Sequence, residues 1–121
     1  MSSLAKLQNK RVEPRIRIRW HAEAYVDRKV YKGFIKEISM TGTGIYLPQS
    51  VIFESSFRLR IYMPPFTSTS VPHTMDVTAK VVHSVLYSYE SLFRTGVIFT
   101  QFFVPTDKKL LQKYIEILPN Y

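Results

Sequence analysis

The chain of 121 residues has no cysteine, and that absence removes disulfides, thiolate catalysis and cysteine-held zinc together. Glycine is scarce, four residues against seven prolines, which argues for firm turns and against a flexible or low-complexity tract. No uncharged apolar run approaches the roughly 18 residues that a membrane helix needs, and the first ten residues lack the apolar core of a secretory leader. Together these absences predict a soluble, cytoplasmic protein without membrane insertion. Acidic residues are few as well: nine stand against seventeen Lys and Arg, a formal charge of +8.

Catalytic patterns are also missing. His21, His73 and His83 are single and far apart, with none of the spacings that hold a metal, so no metal site is expected. Ser39 lies in Ile-Ser-Met-Thr-Gly, without the flanking glycines of a nucleophile elbow. Gly42-Thr-Gly44 introduces no helix, which removes a dinucleotide-binding fingerprint. With no nucleophile, base and orienting acid to assemble, the chain is expected to be non-enzymatic and to need no cofactor.

What is present is aromatic and β-branched. Eight Tyr, eight Phe and one Trp, many beside Val, Ile and Thr, favour strands, and 45% hydrophobic residues suffice for one core. Arg15-Ile-Arg-Ile-Arg-Trp20 alternates cation and apolar group with the period of a half-buried strand, which runs to about Val26. Val30 to Ser39 reads as its return after the turn at Asp27-Arg28-Lys29. A bend at Thr41-Gly-Thr-Gly44, where glycines can adopt positive φ, precedes a short strand Ile45–Leu47. Ser56 to Met63, Met75 to Leu86 and Leu92 to Phe103 supply three more strands, with a proline-rich loop at 64–73. The fold class is therefore mainly β: six antiparallel strands, whose closure into a barrel removes their edges. Leu110, Leu111, Tyr114, Ile115 and Leu118 then recur at helical spacing, with Thr106 or Asp107 as cap and Pro119 as stop. Phe99, Phe102 and Phe103 are expected in the core.

The charge is uneven. Lys6, Lys10, Arg11, Arg15, Arg17 and Arg19 face only Glu13 within the first twenty residues, a surplus of five. Residues 1–14 thus read as a basic arm and residues 15–121 as the barrel with its helix. An anionic partner near the start follows. Two elements sharpen it. Arg11-Val-Glu-Pro-Arg15 supplies two planar cations, and Glu37-Ile-Ser39-Met-Thr-Gly42 supplies acceptors, a hydroxyl and close backbone access. Guanine needs that combination: its O6 and N7 accept from a guanidinium, its ring stacks on another, and N1–H and N2–H need an acceptor such as a carboxylate. Arg17 and Arg19 are expected on the wet face of the first strand.

In that order and spacing the two elements resemble the PilZ domain, whose signature is R-x-x-x-R followed by Asp or Asn, then x-Ser-x-x-Gly. Ala79-Lys-Val-Val-His83 and Gly96-Val-Ile-Phe99 resemble two later strands of the same family. The resemblance implies a six-stranded split barrel with a C-terminal helix, and a bacterial second-messenger ligand, cyclic di-GMP. It implies ligand contacts at Arg11, Arg15, Glu37, Ser39 and Gly42, with Lys10 beside them. Independently, the cations of the arm are expected to fold around such a dianion and present an ordered surface to an unidentified protein partner. Glu37 departs from the family's Asp or Asn, and its longer side chain must fold back to meet the same donors. A ligand-independent adaptor of pilus, flagellar or exopolysaccharide machinery is the alternative. Nucleic-acid binding is disfavoured, because the cations cluster in one arm and form no stripe across several strands.

Overall fold

The structure is a computed structural model that describes residues 13–48, 56–65, 71–87 and 92–118. Six strands follow in sequence: β1 (Ile16–Val26), β2 (Lys29–Ile38), β3 (Gly42–Leu47), β4 (Ser56–Met63), β5 (His73–Tyr87) and β6 (Leu92–Phe102). A helix, α1 (Pro105–Ile117), comes last. The strands close in the order β1-β2-β3-β6-β5-β4, every neighbour antiparallel. The expected mainly β, six-stranded barrel with one C-terminal helix is what is observed.

Alternation places the core. In β4, Phe57, Leu59, Ile61 and Met63 are buried while the residues between them are not. Ile16, Ile35, Ile45, Leu59 and Met75 are fully buried inside the barrel, each contributing about 1.5–3 kcal/mol of transfer free energy. From α1 come Leu111, Tyr114 and Ile115, and the Tyr114 ring meets the edge of Trp20 at 5.2 Å. The Tyr114 hydroxyl donates to the Pro64 carbonyl, and burial raises its pKa. Phe99 and Phe102 pack on the core as expected, whereas Phe103 is half exposed just beyond the end of β6.

Two local expectations are corrected. The glycines at 42 and 44 do not take positive φ; they lie inside β3 as extended residues. Positive φ falls instead on Asp27 (51°) and Arg28 (68°), the two residues between Val26 and its partner Lys29. A two-residue hairpin with both central residues left-handed matches the twist of its strands, and Asp tolerates that conformation. At α1, neither Thr106 nor Asp107 caps. Pro105 is the first helical residue, where no N–H is needed, and Val104 precedes it without a side-chain cap. The Asp107 carboxylate is buried and takes a hydrogen bond from His73 Nε2 at 2.7 Å, which ties the helix to the start of β5.

β5 and β6 make the longest hairpin. After a register irregularity between Val81 and His83, residues 82–86 are all exposed, so this end of the hairpin stands clear of the core. No helix among the described residues is long and apolar enough to cross a membrane.

Candidate functional site

Three strands build the site's floor. In β3, Thr43, Ile45 and Leu47 point into the core, so Gly42, Gly44 and Tyr46 face outward. Register places Gly42 opposite Ile98, Gly44 opposite Gly96 and Tyr46 opposite Arg94 on β6. Across the next ladder, Gly96 lies opposite His83 and Arg94 opposite Val85. Close approach requires glycine at 42, where a Cβ would lie 2.3 Å from the Val97 carbonyl oxygen; a Cβ on Gly44 would lie 2.6 Å from the Arg94 guanidinium, a side-chain end that would have to move.

The turn from β2 into β3 forms the wall. Ser39 Oγ accepts from the backbone N–H of Thr41 at 3.2 Å and of Gly42 at 3.3 Å, while the Ser39 N–H donates to the Gly42 carbonyl at 3.0 Å. A serine hydroxyl reaching its neighbours' amides in this way holds a tight turn, and Ser39 is buried. Thr43 Oγ1 donates to the Glu37 carbonyl, which fixes the backbone just before the turn. Thr41 Oγ1 donates to Glu13 at 2.6 Å, bringing the residues ahead of β1 to the same rim.

Glu37 is the centre of the charge. Arg15 Nη1 donates to its Oε1 at 2.9 Å, and Arg94 Nη2 donates to its Oε2 at 3.2 Å. The pairing Ile16 with Ile38 explains the first contact, since it brings the residue before β1 beside the end of β2. Arg94 Nη1 also lies 3.0 Å from His83 Nε2, and since a guanidinium can only donate, this nitrogen is the acceptor. These groups open onto a cavity of about 210 Å³ walled by Arg15, Glu37, Ser39, Gly42, His83 and Arg94, with Val82 and Ile98 on its apolar side.

The structure brings Arg15, Glu37, Ser39 and Gly42 together in that cavity. Lys10 and Arg11 lie outside the described residues. Arg17 and Arg19 are exposed on β1, and the Arg19 guanidinium stands 4.1 Å from the Phe34 ring centroid, away from the cavity lining. Arg94, His83, Thr41 and Gly96 line the cavity without having been singled out as site residues in the sequence. Thr41 lies inside the Glu37–Gly42 element; Arg94 and Gly96 reach the site through the β3–β6 register, which joins strands not adjacent in the chain, and His83 follows through its pairing with Gly96.

A family model described as the PilZ domain matches residues 9–116. Among solved structures, the Bacillus subtilis inhibitor of motility (MotI/DgrA) superposes with a TM-score of 0.69 at 15% identity, covering 88% of this chain and 49% of that one. The chain thus spans about half the length of that protein. The PilZ domain of YcgR from Escherichia coli, solved with c-di-GMP, superposes with a TM-score of 0.54 at 16% identity, covering 90% and 91% of the two chains. At such identities the likeness is one of fold. None of the curated proteins matches the chain.

Proposed function

Because this chain belongs to the PilZ domain family, whose members act as receptor and adaptor domains without catalysis, we propose that it is a receptor for cyclic di-GMP. The observation that carries this reading is the convergence of Arg15, Glu37 and the Ser39 turn on one glycine-floored cavity. A carboxylate offers about four lone-pair positions, and the two arginines use one on each oxygen. The carboxylate lines the cavity, where it can accept from the N1–H and N2–H of a guanine. Arg15, with Arg11 and Lys10 ahead of it, supplies positive charge for the phosphates and donors for O6 and N7. Gly42 lines the cavity, and its lack of a side chain lets β3 lie close against the Val97 carbonyl. That the YcgR domain was solved with the same dinucleotide supports the choice of ligand.

The output is ordering of the arm. Residues 1–14 carry Lys6, Lys10 and Arg11, and the Glu13–Thr41 hydrogen bond already anchors the end of this segment at the cavity rim. Folding those cations around a dianion creates a surface that a protein partner recognises only in the bound state. A cytoplasmic partner in motility, pilus or exopolysaccharide machinery fits, and the structural likeness to an inhibitor of motility favours the first. Amide hydrogen exchange in residues 1–15 tests the output: the ligand slows it, and equal exchange with and without ligand defeats this mechanism.

One observation favours a second reading, a ligand-independent adaptor: both Glu37 oxygens already hold guanidinium partners. Calorimetric titration with cyclic di-GMP separates the two. The receptor reading predicts saturable binding that Arg15→Ala weakens on the order of ten- to a hundredfold, the loss of one charge-assisted contact. Absence of binding to the native protein leaves the adaptor.

A further inference from the structure

Two flat side chains cover the cavity floor, and the glycines beneath them show how they lie. A Cβ built on Gly44 would stand 2.6 Å from Arg94 Cζ, 2.6 Å from Nη2 and 2.8 Å from Nε. Near-equal distances to three bonded, coplanar atoms arise only above the face of the group, so the guanidinium lies face-down on Gly44. The same holds for His83. A Cβ on Gly96 would stand 2.4 Å from Cε1 and 2.8 Å from both Nδ1 and Nε2, which puts it over the Cε1 corner of the ring face. Any side chain at 44 or 96 would lift these groups off the sheet.

Once flat, the two are joined edge to edge. Arg94 Nη1 meets His83 Nε2 at 3.0 Å and Arg94 Nη2 meets Glu37 Oε2 at 3.2 Å, so hydrogen bonds along the guanidinium rim hold it at both ends. Its lower face rests on Gly44, its edges are tied, and both Arg94 and His83 line the cavity. The upper face is then presented to a ligand. A guanidinium seated flat and tethered at both terminal nitrogens is pre-organised to take a flat ring by stacking, since its plane is fixed before the ligand arrives.

We infer that Arg94, seated on Gly44 and tethered by Glu37 and His83, is the platform on which a purine base of the ligand stacks, with the His83 ring extending that platform. This rests on the receptor reading above and adds a residue to it. It also gives Glu37 a second task. The carboxylate that accepts from the base edge also fixes the plane on which a base lies.

Arg94→Lys separates this role from charge alone, since lysine keeps the cation and its attraction to Glu37 but has no planar face. Calorimetric titration with cyclic di-GMP is run on the native protein, Arg94→Lys and Gly44→Ala, after thermal melting has established that each is folded. A lost base stack lowers affinity about ten- to a hundredfold in Arg94→Lys. Gly44→Ala, which keeps every named cation, should weaken binding in the same direction by lifting the guanidinium. Should Gly44→Ala fail to fold, Arg94→Lys alone decides. Native binding with unchanged affinity in folded Arg94→Lys overturns the platform and leaves the receptor reading standing; no binding by the native protein removes both.

Discussion

Two carboxylates on this barrel are each held by two arginines, and they do different work. Glu37 lies between Arg15 at 2.9 Å and Arg94 at 3.2 Å; Asp76 lies between Arg58 at 2.6 Å and Arg60 at 2.9 Å. The two acid side chains are equally exposed, at 18% each, so burial does not distinguish them. Strand origin does. Arg58 and Arg60 both come from β4, two residues apart, with Arg60 directly opposite Asp76 on β5. Aromatic rings complete that cluster: Tyr25 lies 5.0 Å from Arg58 and 5.7 Å from Arg60, and Phe103 lies 5.5 Å from Arg58. The arginines of Glu37 come from the segment before β1 and from β6, and the second of them lies over Gly44. Neighbouring strands closing over a charge give a surface clamp; distant strands converging over missing side chains give a cavity.

Removing each acid is the strongest way to break this comparison. Glu37→Ala takes the acceptor from the cavity and releases both of its arginines, so cyclic di-GMP affinity measured by calorimetry should fall on the order of a hundredfold. Asp76→Ala should leave that affinity as it is. Equal losses in the two variants would erase the distinction between clamp and cavity.

Next in size is the floor itself. Gly42→Ala forces a Cβ to within 2.3 Å of the Val97 carbonyl oxygen, which is backbone of a paired strand and cannot swing away. Overpacking of this kind costs about 1–3 kcal/mol, read as a lower denaturation midpoint. An unchanged midpoint would show that the strands separate freely and that the glycine is not there for close approach.

The smallest effect sharpens the other side. Hydrogen bonds from Arg60 first, and from Arg58, hold the Asp76 carboxyl below its usual range despite partial burial, and Arg60 is correspondingly raised. A depressed acid stabilises the fold above its ordinary pKa and loses that contribution as pH falls through its folded value. Asp76→Asn should therefore cost about 0.5–1 kcal/mol at neutral pH, as expected for a partly exposed pair, and less as the solution is acidified below about pH 4. A stability difference that grows on acidification would contradict the assignment.

The strand pattern was legible because burial alternates where one face is wet. Phe57, Leu59, Ile61 and Met63 declare β4 without help from any other segment. Arg15, Glu37, Ser39 and Gly42 were legible as a set because one hairpin, β1 to β2, brings them together. Arg94 was not. It lies 57 residues from Glu37, and the two meet only through the pairing of β3 with β6, which skips two strands. A glycine needed for φ and one needed for space look alike in sequence, which is why the bend expected at Gly42 and Gly44 is an extended strand in the fold. The same holds for Asp107, where a capping residue type was claimed by a histidine 34 residues away.

Backbone amide NMR shifts during titration with cyclic di-GMP test the central claim most directly, because they report both faces of the barrel in one experiment. Binding at the glycine-floored cavity shifts Ser39, Thr41, Gly42, Gly44 and Gly96 and leaves Arg58, Arg60 and Asp76 in place. Shifts centred on Asp76, or none on either face, would contradict it.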